Sequence, residues 1–164
     1  MRYLILILFL GTGFISSAQL QKIGHLNGRE MLMAMPESTV VEEQIQAQAK
    51  EMESAIITMQ KDYQKRVEEF QQNPDWSIEV KNQKYEAIIQ MEKDMKDFTA
   101  KAESELDAKE SELLAPIYQK IQEAIKAVAI ENNFIYIIDS SQGVLLYEGG
   151  EDVMPLLKKK LGIQ

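Results

Sequence analysis

Cysteine is absent from the 164 residues, and histidine occurs once, as His25. The first absence removes disulfides, thiolate metal sites, iron–sulfur clusters and cysteine nucleophiles together. The second leaves no His-x-x-x-His metal pair. Positive charge is also short: 18 Lys and Arg stand against 26 Asp and Glu, for a net charge of -8. Such a balance argues against a surface whose main partner is nucleic-acid phosphate. Beyond the first eighteen residues there is no nucleophile elbow, phosphate loop or dinucleotide fingerprint, since Gly11 and Gly13 fall within that opening segment. Catalytic carboxylates need unequal, partly buried settings, whereas the acidic residues here fall on polar helix faces. No catalytic, cofactor-binding or metal-ligating residue is therefore assigned, no cofactor is expected, and the chain reads as non-enzymatic.

Long apolar runs are scarce as well, with one at the very start. Arg2, an apolar run over residues 3–14 and the small-residue site Ser16-Ser17-Ala18 before Gln19 have the form of an export leader cleaved after Ala18. About a dozen apolar residues cannot cross a hydrocarbon core that takes roughly twenty in helical form. Gln19 stands where a bacterial lipoprotein would need cysteine. Loss of Arg2 with the leader takes the mature chain to about -9.

Helical periodicity dominates the mature chain. Residues 22–27, Lys-Ile-Gly-His-Leu-Asn, read as a short strand ended by an Asn-Gly pair. Asn27 can cap a short helix, with Glu30 at the capping-box position and Met31, Leu32 and Met35 on its apolar side. Pro36 opens the next helix. From Val41 the residues Ile45, Ala49, Met52, Ile56, Met59, Tyr63, Val67 and Phe70 recur every three or four positions, with neither proline nor glycine among them. About 35 residues at 1.5 Å rise make a rod on the order of 50 Å long, too long to be wrapped by so small a domain. Its stripe needs a partner. Asn73-Pro74-Asp75 supplies the reversal, Asp75 or Ser77 can cap the return, and Tyr85, Ile88, Met91, Met95, Phe98, Ala102, Leu106 and Leu113 form the answering stripe. Two such rods make an antiparallel hairpin. The alternating Lys93, Asp97, Lys101, Glu105 and Lys109 mark its solvated flank.

Pro116 is expected to interrupt the second rod and open a further helix carrying Ile117, Ile121, Ile125 and Val128, ended by Asn132-Asn133. Residues 134–138 read as a strand, 139–143 as a turn and 144–147 as the return strand of a β-hairpin, with a loop over 148–151. Asp152 can cap a last short helix bearing Leu156, Leu157 and Leu161. The expected fold class is α+β, with three parts: a leader over 1–18, a small β-containing body from 19–38 and 115–164, and a helical coiled-coil hairpin over 39–114.

Candidate interaction residues are few. His25 could act as a pH switch, though a packed strand histidine is the preferred reading. Met52, Met59, Met91 and Met95 could form an adaptable binding surface, but their places in the stripes make them hairpin core. Trp76 at the tip either staples the turn or, if exposed, grips an unfolded chain. The Lys158 to Lys160 run suits the negative end of a helix, and contact with an anionic membrane surface is permitted without being required.

Several segments in order resemble the Skp (OmpH) family of periplasmic chaperones: 22–27, Met35-Pro36-Glu37, Pro116-Ile117 through Val128-Ala129, Phe134-Ile135-Tyr136-Ile137-Ile138-Asp139, and 156–163. With the leader and the rods, the likeness spans essentially the whole chain. It implies a periplasmic homotrimer whose strands join in a central body, with three hairpins around a cavity that holds unfolded outer-membrane β-barrel proteins without ATP. The best-known members are strongly basic, whereas this chain is acidic, which removes the expectation of capture through positive charge. The residues add one support of their own: a lone three-stranded fragment leaves edges unpaired, and trimerisation would pair them and bury Ile23, Ile135, Ile137, Val144 and Leu146. The rival reading is a coiled-coil envelope adaptor or spacer that binds one folded partner.

Overall fold

The computed structural model describes residues 22–143, 145–147 and 149–163. The leader and its cleavage site, and Val144 of the expected return strand, lie outside the described residues. Strand β1 (Lys22–Leu26) leads into helix α1 (Gly28–Ala34), where the Asn27 side chain accepts the N–H of Glu30 at 3.0 Å and so satisfies one of the free donors of the first turn. Met35 is extended, as a residue before proline must be, and Pro36 takes the first position of α2 (Pro36–Gln72), where its missing N–H costs nothing. At about 1.5 Å per residue the 37 residues of α2 span roughly 55 Å. Asn73 closes it, and the hydroxyl of Ser77, the second of the two expected caps, accepts the N–H of Val80 to start α3 (Ile78–Glu131).

The interruption expected at Pro116 does not occur. Helix α3 continues through it for 54 residues. Proline leaves the carbonyl of Glu112 without its helical partner and crowds the preceding turn, at a cost of about 3 kcal/mol. Against that, Ile117, Ile121, Ala124 and Val128 are all buried in the core, with Leu113 and Leu114 packed at its margin. At about 1.5–3 kcal/mol for each large apolar side chain, this burial outweighs the break. The boundary between hairpin and body at 114/115 therefore falls inside a continuous helix.

Asn132 caps α3, Asn133 adopts the left-handed conformation at φ 57°, and β2 (Phe134–Asp139) comes next. The expected β-hairpin is not formed. Residues 145–147 are not strand; β2 runs instead into a 3-10 turn (Ser140–Gln142), and Gly143 at φ 67° turns the chain toward a two-residue strand β3 (Glu151–Asp152). The sheet order is β2-β1-β3 with both pairings parallel. The reason is topological: once α3 has brought β2 alongside one edge of β1, the turn at Gly143 delivers the chain to the other. Helix α4 (Met154–Leu161) completes the body, and the Asp152 carboxylate accepts the N–H of Met154 at 2.9 Å.

The core lies between one face of this sheet and the helices. Met31, Met35, Val128, Val153 and Leu157 are wholly buried there, with Leu26, Phe134, Ile117 and Ile121 beside them. Gly24 is required at its position, because a Cβ would stand 2.6 Å from Val153 Cγ1 and 3.1 Å from the Phe134 ring. Beyond the core the α2–α3 hairpin stands alone. Only Val41, Ile88 and Ala102 of its inner stripes are buried, and Met52, Met59, Met91 and Met95 are half-buried. Two helices can cover only one stripe of each other.

Candidate interaction surfaces

A parallel sheet is ordinarily covered on both faces. Here the helices cover one. On β1, Gly24 and Leu26 point into the core, so Ile23 and His25 point away. In register with them stand Tyr136 and Ile138 of β2, and Asp152 of β3 pairs with His25 from the other side. An irregularity between Lys22 and Ile23, where the β2 partner jumps from Phe134 to Tyr136, leaves Ile135 as the extra residue. The outward face is thus apolar and bare: Ile23 and Ile135 are nearly half exposed and Tyr136 is 66% exposed. Farther along the chain, Leu146 is 99% and Tyr147 84% exposed. Exposed apolar side chains side by side on β1 and β2 make this face a candidate interaction surface.

Of the assembly residues expected from sequence, Ile23, Ile135 and Leu146 are therefore at the surface. Ile137 is different. It is half-buried against the chain's own core, on the side of Asp139. Tyr136, Ile138 and Tyr147, which the sequence pattern does not single out, are exposed as well. The segment Phe-Ile-Tyr-Ile-Ile is apolar in both phases of a strand, so alternation has nothing to act on, and the irregularity resets the phase after Phe134.

At the far end of the hairpin, Trp76 is half-buried. Its ring meets Phe70 edge-on at 6.4 Å, Phe70 meets Tyr85 at 6.4 Å, and the Lys84 ammonium lies 5.1 Å from the indole centroid. Lys84 also pairs with Glu69 at 3.0 Å, and that hydrogen bond lowers the Glu69 pKa. These contacts hold the turn, while neighbouring Ile78 stands exposed. Of the three terminal lysines, Lys160 is paired with Glu131.

At the hairpin base, Lys120 of α3 pairs with Glu37 in the first turn of α2, and this hydrogen bond lowers the Glu37 pKa. Nearby, a cleft of about 410 Å³ opens between α1, α3 and the end of β2, with Leu26, Leu32, Ile121, Ile125 and Ile137 as its apolar lining. Among the described residues no group of His, Asp and Glu is arranged to hold a metal, and no helix is long and apolar enough to cross a membrane.

This organisation, a strand–helix opening, two long helices and a strand–helix close, is matched by a family model described as Outer membrane protein (OmpH-like), over residues 22–161. The chain belongs to the OmpH-like family. Its members are periplasmic chaperones of outer-membrane proteins and not enzymes. A search of curated proteins returns no match. In this OmpH-like chain, among the described residues, the hairpin runs on beyond the core and one sheet face is left without a covering helix.

Proposed function

We propose that the chain is an exported, ATP-independent holdase that binds unfolded outer-membrane β-barrel proteins in the periplasm and prevents their aggregation. It would act as a homotrimer after cleavage at Ala18. The observation that carries this reading is the division of apolar surface: a compact body with one bare sheet face, and a hairpin whose base packs on the core and whose helices, roughly 55 Å long in α2, run on beyond it. The sheet face, with Ile23, Ile135, Tyr136 and Ile138, suits assembly around a common axis, and the exposed Leu146 would join it. A ring of three copies closes by joining unlike edges, and the free edge of β2 offers one. Residues 39–114 of each copy would then bound a cavity. Client chains that alternate apolar and polar residues aggregate through exposed strands, and many weak contacts inside one cavity suffice to hold them by effective concentration. Trp76 and its neighbour Ile78 are the tip residues proposed to touch the client.

The test is dilution of a urea-unfolded barrel protein into buffer with and without the purified chain, monitored by light scattering. Suppression at a trimer-to-client ratio of a few to one is expected. Absence of suppression, together with recovery of one stoichiometric folded partner by crosslinking from the cell envelope, would replace the holdase by the adaptor.

A further inference from the structure

The negative charge of the chain is concentrated in one part of the hairpin. Over residues 36–53 of α2 and 100–117 of α3, ten carboxylates accompany three cations, Lys50, Lys101 and Lys109. Over the distal residues 54–99 the balance is nine to seven. The proximal part thus carries a net charge of -7 against -2 for the distal part.

An apolar groove of about 390 Å³ lies in that half, where α1 meets the base of the hairpin. Leu32, Val41, Ile45 and Leu114 line it, and Glu42 and Glu110 stand at its rim. Among the described residues neither carboxylate forms an ion pair; Glu42 accepts only an amide hydrogen bond from Gln46, at 3.1 Å, while neighbouring Lys109 is taken by Glu112. Met33, also on the lining, is 74% exposed. An unbranched, polarizable side chain there can adapt to varied apolar partners.

We infer that this groove is a client subsite selective for segments that combine apolar side chains with Lys or Arg. The inference rests on the holdase reading and adds a charge preference to it. Apolar contact supplies the attraction, and the carboxylates decide which apolar segments are admitted: a cationic side chain beside the anchor finds two unpaired acids, whereas an acidic one meets like charge in a region already strongly negative. Because the rim is solvated, each pair contributes little alone and the preference is screened by salt over roughly 8–10 Å at moderate ionic strength.

The absence of cysteine makes the test clean. Thr39, on the groove lining, is replaced by Cys in the full-length assembled protein and labelled with an environment-sensitive fluorophore. Two unstructured peptides of the same apolar sequence, one with interspersed lysines and one with glutamates in their place, are titrated at low and high salt. The lysine peptide is expected to bind about tenfold more tightly at low salt, narrowing to about two- to threefold near 0.5 M. The double variant Glu42→Gln/Glu110→Gln should reduce the low-salt ratio at least twofold, and the distal control Glu86→Gln/Asp94→Asn should leave it unchanged. Equal binding of the two peptides, or a ratio that falls only in the distal control, overturns the subsite. Aggregation suppression of an unfolded barrel, measured on the same preparations, separates the two levels: intact suppression without charge preference refutes the subsite alone, while loss of suppression by the unsubstituted protein refutes the holdase reading beneath it.

Discussion

Asp139 Oδ1 accepts the backbone N–H of Gly28 at 3.0 Å, joining the end of β2 to the start of α1 across 111 residues of sequence. The same oxygen accepts the N–H of Ser141 at 2.9 Å, so one carboxylate ends the strand, starts the 3-10 turn and holds the first helix in place. A Cβ on residue 28 would stand 2.8 Å from the other carboxylate oxygen, so a side chain there would push the Asp139 carboxylate aside.

The Asp139 carboxyl lies below its ordinary value: partial burial raises it, but the N–H groups of Gly28 and Ser141 and the side chains of Ser141 and Gln142 outweigh that. A depressed folded-state value means that the stabilisation is present above the unfolded value and is lost as pH falls through the folded one. Asp139→Ala should therefore cost about 1–2 kcal/mol near neutral pH. The deficit should stay constant down to about pH 5 and shrink below about pH 4. Urea unfolding of both proteins across that range measures it; a deficit that grows with acid would contradict the assignment.

Ile137 and Tyr136 are adjacent yet face opposite ways, which separates folding from assembly. Ile137→Asp places a charge against the chain's own core and should destabilise the body by several kcal/mol (order of magnitude). Tyr136→Asp, on the outward face, should retain helical circular dichroism while lowering the assembled mass seen by light scattering. Similar unfolding of both variants would remove the bare face as an assembly surface.

Pro116 should be a net cost to the folded chain. Pro116→Ala restores a donor for the Glu112 carbonyl, and part of the benefit is offset by the freer unfolded chain. A gain of roughly 1–3 kcal/mol in unfolding free energy is expected. If the variant is instead less stable, the ring itself packs in a way that its place on α3 does not explain.

Shortening the hairpin should leave assembly intact. The bare face belongs to the body, whereas the two helices satisfy their stripes on each other within one chain. Replacement of residues 49–106 by a short turn is expected to give a folded body of the same copy number, with aggregation suppression greatly reduced. A monomer by light scattering would move the assembly surface onto the hairpin.

Sequence by itself determined the elements whose signals are local. Asn27, Pro36, Ser77 and Asn132 set helix ends through hydrogen bonds and steric limits that act within a few residues, and spacings of three and four along α2 and α3 required a paired helical rod whatever surrounded it. Tertiary structure alone decided the remainder. Pro116 was overridden because the apolar side chains after it are buried by α1, β1, β2 and α4, which sequence does not place together. Parallel pairing of β1 with β2 and β3 depends on partners more than a hundred residues apart, and the faces of Ile137 and Tyr136 depend on one irregularity in that register. A strand apolar in both phases has two acceptable orientations, and only the contacts made by its neighbours select one.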